Sequence, residues 1–369
     1  MAIARTLDLA RLVRPDFAAL PAYPAPESAS DLAAELGIPL ERLVKLDQNE
    51  NPHGCSPKVR EALARFDRYN IYPDILATEV RALLTDYVGA PADQIIVGNG
   101  SDELVDLLLR VLVLPGDKVI TWGPTFSYYA GAVAVCGAQY VDIPRGRDFE
   151  IDVDKALAVA DERTKLFILC NPNNPSANLT PVADIRRLLD TGLMVLLDEA
   201  YAEFSGTAST ALMAEYENLA ILRTFSKWAG LAGLRIGYGL FPRALVPLLL
   251  KVKPPFNVNV AAQEAAKASL HDLDYLRHTV GLIVAERERL LEVLPKLPVF
   301  SKVYPSRTNF ILCEVTGGNG RSLRNRLAKK GILLRHFDNP ALRRFIRITV
   351  GTREQDDVLL SALEEESNA

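Results

Sequence analysis

From about residue 90 the chain alternates short, continuous apolar runs with segments whose apolar residues recur at helical spacing. The runs at 95–97, 118–121, 139–143, 166–170, 193–198, 220–224 and 236–241 have strand length, and helices are expected between the earlier ones at 102–113 and 180–190. Strands that are apolar throughout, with no polar alternation, belong to a mostly parallel sheet covered on both faces. After Pro254-Pro255 the helices lengthen. Apolar residues at 276, 280, 283, 284, 290, 291 and 294 predict one long helix over 272–294. A small α+β unit follows, with strands at 310–313, 332–335 and 346–350, a helix at 322–329 and a last helix from Gln355.

Residues 1–50 read differently, as an arm of two short helical stretches, the second at 30–36, joined by Pro21-Ala22-Tyr23-Pro24-Ala25-Pro26. The prolines stiffen that link into an extended segment suited to lying on another surface. The expected organisation is an arm over 1–50, packed on the small domain and a partner subunit, a large α/β domain over 51–258, and a linker helix with a small α+β domain over 259–369.

Composition narrows the function. The 369 residues are 49% apolar and 24% charged, with a net charge of −4 and no basic stretch. That balance suits a soluble enzyme and gives nucleic acid or an anionic membrane no electrostatic basis as partners. The apolar runs are far short of a membrane span, and the first residues lack a signal-peptide core. Cysteines at 55, 136, 170 and 313 form no CxxC, which reads as reduced thiols in the cytoplasm. His53, His271, His278 and His336 have no metal-ligand spacing, so no metal is expected.

The chemistry concentrates at predicted strand ends, where open α/β sheets bind ligands. Asp198 ends an apolar run, and Thr224-Phe225-Ser226-Lys227 with Arg235 ends the next. A buried carboxylate there is expensive unless it has a partner, a salt bridge, a helix cap or a ligand. A lysine that condenses with an aldehyde, beside a carboxylate that keeps a ring nitrogen protonated, meets the two demands of pyridoxal phosphate. Thr224, Ser226 and Arg235 would bind its phosphate. Gly100-Ser101-Asp102, opening a helix, offers backbone N–H groups to an anion or is a plain cap. In Pro124-Thr125-Phe126-Ser127-Tyr128-Tyr129 an aromatic could stack on a ring or fill the core. Asn171-Pro172-Asn173-Asn174-Pro175 could offer an amide to a ring hydroxyl or form an Asx-type turn. Arg335 and Arg347, on apolar strands, need partners: a substrate anion, or Asp338 and Glu314.

Together these segments resemble the class II, fold-type I pyridoxal-phosphate-dependent aminotransferases, and within them the histidinol-phosphate aminotransferase subgroup. The resemblance runs in order through Lys45-Leu46-Asp47-Gln48-Asn49-Glu50-Asn51-Pro52, Tyr72-Pro73-Asp74, Asn99 to Glu103, Asn171 to Pro175, Asp198-Glu199-Ala200-Tyr201, Thr224 to Lys227, Gly230 to Arg235 and Arg347-Ile348-Thr349-Val350-Gly351. It implies that Lys227 carries the Schiff base and moves the proton, that Asp198 keeps the ring nitrogen protonated, and that Asn174 and Tyr201 bind its hydroxyl. Tyr129 is the expected stacking ring, with Tyr128 the alternative. Backbone at Gly100, Ser101 and Asp102 joins Thr224, Ser226 and Arg235 on the phosphate, and Tyr72 reaches it from the other subunit of a homodimer. Tyr23, Asn51, Arg335 and Arg347 are the implied substrate contacts. Aromatic aminotransferases and phospho-amino-acid decarboxylases of this fold would use nearly the same residues. A non-catalytic pyridoxal-phosphate-binding regulator would carry an additional DNA-binding domain, and a nicotinamide enzyme would need a glycine fingerprint not found here. One departure stands out: the family's Asn-Pro-Thr-Gly reads Asn174-Pro175-Ser176-Ala177, with alanine replacing a permissive turn residue.

Overall fold

The computed structural model describes residues 11–15, 17, 20 and 28–368. Strand β1 (Val44–Leu46) precedes the central strands β2 (Ile95–Gly98), β3 (Lys118–Gly123), β4 (Gln139–Pro144), β5 (Thr164–Cys170), β6 (Met194–Asp198), β7 (Leu219–Thr224) and β8 (Gly237–Leu240). Strands β9 (Phe300–Val303), β10 (Phe310–Val315), β11 (Ile332–His336) and β12 (Phe345–Thr349) complete the set. The central strands form one seven-stranded sheet in the order β2-β8-β7-β6-β5-β3-β4. Only β8 runs against its neighbours; every other pairing in this sheet is parallel. The fold is the α/β architecture expected from the apolar runs.

Both faces of this sheet are covered, which explains the unbroken apolar strands. Along β6, Val195 and Leu197 pack into one core with Ile185 and Leu188 of the helix Val182–Leu189. Leu196, between them, points to a second core with Leu104 and Leu108 of the helix Ser101–Leu112. Alternation is present, but neither side is wet.

The other sheet has five strands in the order β1-β11-β12-β10-β9. Strand β1 joins it parallel to β11, so residues 44–46 of the expected arm are a strand of the small sheet. The sequence pattern predicts neither β1 nor β9. The first is three residues long, and the second alternates Phe-Ser-Lys-Val at a sheet edge. The long helix, Leu273–Val293, ties the two halves: the Arg287 guanidinium donates to the carbonyls of Phe204 (3.0 Å) and Thr308 (3.1 Å).

Parallel pairing brings the strand ends to one edge. Cys170 lies opposite Asp198, and Asp198 opposite Leu222, two residues before Thr224. Gly237, opposite Thr224, lets the helix Ser101–Leu112 begin against that edge: a Cβ there would lie 2.6 Å from the Ser101 nitrogen and 2.9 Å from the Arg223 carbonyl oxygen. Backbone on both sides cannot give way cheaply. Gly237→Ala is expected to destabilise the fold by about 1–3 kcal/mol in urea melts. Gly131→Ala, in the helix Tyr128–Val135 with open space around the added carbon, should stabilise it by about 0.5–1 kcal/mol.

Candidate active site

Asp198 closes β6 and is 5% exposed. Its Oδ2 accepts the Tyr129 hydroxyl at 2.6 Å, and its Oδ1 accepts the Ala200 N–H at 3.2 Å. Burial pushes its pKa up to about 6, while the Tyr129 hydroxyl pulls it back. This corrects the reading of Tyr129 as the stacking ring. At the second position of the helix Tyr128–Val135 it turns inward, is wholly enclosed by protein atoms and has no face left to stack on a ligand. Tyr128, the alternative, is half-buried with its hydroxyl 3.4 Å from the Asp102 carbonyl. Phe126 keeps accessible surface and meets Tyr129 edge-on, ring centroids 5.5 Å apart.

Lys227 lies just beyond β7, its Nζ donating to the Gln48 carbonyl at 3.0 Å. Desolvation of the amine, then the positive charge of Arg347, lower its pKa to about 8. Next to it, Thr224 Oγ1 and Ser226 Oγ are 2.9 Å apart, and the Ser226 N–H donates to Thr224 Oγ1 at 3.0 Å. Arg235 takes a left-handed backbone (φ 54°) that sends its guanidinium to Ser226 Oγ and to Asp102 Oδ2, each at 3.4 Å. Gly100, at φ 82°, leaves room for it, since a Cβ there would lie 2.6 Å from Arg235 Nη2. No side chain caps the helix that starts at Ser101. Two hydroxyls, a guanidinium and a helix N-terminus thus meet at one spot, as an anion site requires.

The small sheet closes the site from the other side. Arg347, on β12 and 6% exposed, donates to Asn174 Oδ1 at 2.7 Å and to the Asp47 carbonyl at 2.6 Å. Its guanidinium carbon lies 5.2 Å from the Phe310 ring centroid and 5.7 Å from that of Phe337. Arg335, on β11, is its cross-strand partner and lies over Phe337 at 5.7 Å. The carboxylates considered as their partners are engaged elsewhere, Glu314 with Arg344 and Asp338 with Arg321. Tyr201, 4% exposed, accepts a hydrogen bond from Asn49 Nδ2 at 3.0 Å.

One expected residue, Asn51, is placed differently. Asn51 uses both ends of its amide on backbone, donating to the Trp228 carbonyl and accepting the His53 N–H, each at 3.0 Å. It clamps the segment next to Lys227, a different use from the substrate contact expected of it. Asn49 was missed, and it reaches Tyr201 from a left-handed backbone (φ 56°) that asparagine tolerates. Tyr72 is 79% exposed and stacked on Phe256. Tyr23 lies outside the described residues. A cavity of about 370 Å³ is lined by Lys45, Glu50, Asn51, Ser226, Thr349 and Gln355, where the small sheet faces the Lys227 segment.

A family model described as aminotransferase class I and II matches residues 41–363. The chain belongs to the class I and II aminotransferases. It is 48% identical over 363 residues to a histidinol-phosphate aminotransferase of Roseiflexus castenholzii, covering 96% of this chain and 98% of the relative. A chloroplastic histidinol-phosphate aminotransferase of Arabidopsis thaliana is 42% identical over 356 residues, covering 96% of this chain and 85% of that protein. Among solved structures, the histidinol-phosphate aminotransferase of Sinorhizobium meliloti, in complex with pyridoxal-5'-phosphate, aligns with a TM-score of 0.85 at 27% identity, covering 100% of this chain and 98% of that one.

Within this aminotransferase site, Ala177 keeps the left-handed turn that glycine would adopt easily, at φ 63° and fully buried. The strain costs about 1–2 kcal/mol, and burial of its methyl group returns about 0.8 kcal/mol of that. Beneath Asp198, Glu199 accepts from the Arg223 guanidinium at 2.7 Å and from the Ser209 N–H at 2.8 Å, all buried. Removing one partner of such a pair leaves a charge in the core. Glu199→Ala is expected to lower unfolding free energy by about 3 kcal/mol, read by chemical denaturation. A loss under about 1 kcal/mol would show that Glu203, 3.5 Å from Arg223, suffices alone.

Proposed function

We infer that this chain is a pyridoxal-phosphate-dependent aminotransferase that passes the amino group of L-histidinol phosphate to 2-oxoglutarate, giving imidazole-acetol phosphate and L-glutamate. The observation that carries the substrate reading is the facing pair Arg335 and Arg347, the latter bonded to Asn174. The relatives' shared name agrees with it.

The residues present fit the cofactor. Asp198 is a buried carboxylate whose nearest donors are neutral, suited to a cationic ring nitrogen. The bare backbone of Gly100 lets the Arg235 guanidinium sit beside the helix N-terminus, where a Cβ would push it away from an anion. Pyridoxal phosphate, when bound, supplies an aldehyde for amine exchange and a protonated ring that accepts the electron pair left by the departing α-proton. Thr224, Ser226, Arg235 and the backbone of Gly100, Ser101 and Asp102 would hold its phosphate, Asn174 and Tyr201 its ring oxygen, and Phe126 would cover a ring face.

Lys227 does the proton work. With its pKa depressed to about 8, part of the amine is neutral at pH 7 and able to attack an aldehyde. Once the substrate amine has taken its place, the same Nζ would accept the substrate's α-proton and deliver it to the former aldehyde carbon. Arg347 and Arg335 receive the phosphate of one substrate and a carboxylate of the other, since a guanidinium fork suits both oxyanions. The four cysteines lie unpaired, which agrees with a reducing cytoplasm. Exposed Tyr72, stacked on Phe256, and exposed Ile71 next to it in sequence offer apolar surface for a second copy to cover, and Tyr72 of the partner subunit would then reach the phosphate.

Titrating the protein loaded with pyridoxal phosphate with L-histidinol phosphate and, in parallel, phenylalanine, followed by visible absorbance, tests the assignment. Bleaching at much lower histidinol phosphate is expected; stronger conversion by phenylalanine would make the chain an aromatic aminotransferase. Arg335→Leu should cut kcat/KM for histidinol phosphate by about 10- to 100-fold and leave phenylalanine turnover within about threefold. Equal losses would remove Arg335 from phosphate recognition.

The pH dependence follows from the direction of the Lys227 shift. Because the pKa is lowered, the neutral amine is present below the ordinary lysine range. Pyridoxal phosphate uptake by the apoprotein, followed by stopped-flow absorbance, should therefore rise about tenfold from pH 7 to pH 9 and then level off. A rate still climbing steeply above pH 9.5 would place the amine at its unshifted value.

A further inference from the structure

The Tyr129 hydroxyl, 2.6 Å from Asp198 Oδ2, has no role in the site as drawn so far. It is completely buried, held edge-on by Phe126, and packed in the core that contains Cys170, the cross-strand neighbour of Asp198. The other donor to this carboxylate, the Ala200 N–H, is longer at 3.2 Å. The charges bearing most on Asp198 are Asp102 and Glu199, like charges that favour its protonation. Tyr129 is thus the stronger of two neutral donors that oppose burial and like charge.

We propose that Tyr129 is a positioning residue that acts through Asp198, its hydroxyl keeping the carboxylate ionised so that the shared proton stays on the ring nitrogen of the cofactor. The inference rests on the pyridoxal-phosphate reading above. Its logic is a competition between two bases for one proton. Each hydrogen bond donated to a carboxylate stabilises its charged form and weakens it as a base. With the Tyr129 O–H in place, the ring nitrogen wins the proton and Asp198 remains its anionic partner. Without it, Asp198 gains basicity and the proton moves from the ring nitrogen to a carboxylate oxygen. The ring then carries less positive charge and draws electrons from the substrate carbon less strongly. The hydroxyl oxygen is held by the helix Tyr128–Val135, so the donor is preorganised and inaccessible to water.

The test uses holoenzyme loaded with pyridoxal phosphate labelled with 15N in the ring, whose chemical shift separates pyridinium from pyridine. In Tyr129→Phe the signal should move toward pyridine, and kcat should fall about tenfold with KM within about twofold. A merely structural role would lower thermal stability and leave the 15N position unchanged; that result overturns the proposal. If Tyr129→Phe fails to fold, p-aminophenylalanine in place of Tyr129 keeps the shape with a weaker donor. It should give a smaller displacement in the same direction, and none would again overturn the idea. A wild-type protein that takes up no pyridoxal phosphate would sink the cofactor reading itself, which is visible before any variant is made.

Discussion

A carboxylate at the buried end of a central strand is the constraint around which the rest is arranged. Asp198 is where it is because β5, β6 and β7 are parallel and end together, leaving the last side chain of β6 between two neighbours. Desolvation works against its charge, and the surroundings answer with directed donors in place of a counter-cation. That choice leaves the carboxylate able to take a cation from outside the chain. A lysine or arginine fixed against it would have stabilised the fold and closed the site.

The second organising feature is that the two sheets meet through polar contacts at the site itself. Asn49 is the hub: its N–H donates to Thr349 Oγ1 at 2.9 Å, its carbonyl accepts Asn309 Nδ2 at 3.0 Å, and its side chain holds Tyr201. Arg347 adds the bonds to Asn174 and the Asp47 carbonyl. These contacts are directional, so a small shift of the five-stranded sheet would change several of them together. Under the proposed function, the arginines assigned to the substrate lie on that sheet, and most residues assigned to the cofactor follow strands of the seven-stranded one. The bond from Arg347 to Asn174 would then link the two sets directly.

Much of this was legible in the chain because strand ends carry their chemistry in short contiguous words. Asp198 to Tyr201 and Thr224 to Lys227 each combine an apolar run with polar residues at its end, and parallel topology makes such ends converge. What could not be read was rotation and distance. Nothing in Phe126-Ser127-Tyr128-Tyr129 says which ring turns inward, because that depends on where the helix starts relative to the sheet. The roles of Asn49 and Asn51 were likewise hidden, since two asparagines two positions apart in one irregular segment differ only in backbone angle. Strand β1 was hidden for another reason: its pairing with β11 joins the two ends of the sequence, and three residues carry no periodicity.

The arginine pair shows how electrostatics can specify a ligand before any ligand is seen. Cross-strand neighbours of like charge destabilise a sheet, and Arg335 and Arg347 are such neighbours. The fold tolerates them by giving Arg347 two oxygen acceptors and setting both guanidinium groups over Phe337. An aromatic face relieves part of the repulsion. An anion seated between the two guanidinium groups would gain more from two fixed cations than from one. A phosphate carries more charge than a carboxylate and has more oxygens to share between two forks. Under the proposed function, such a pair would accept either oxyanion and hold the phosphate more strongly, while Asp198 and Lys227 would serve the other end of whichever substrate had docked.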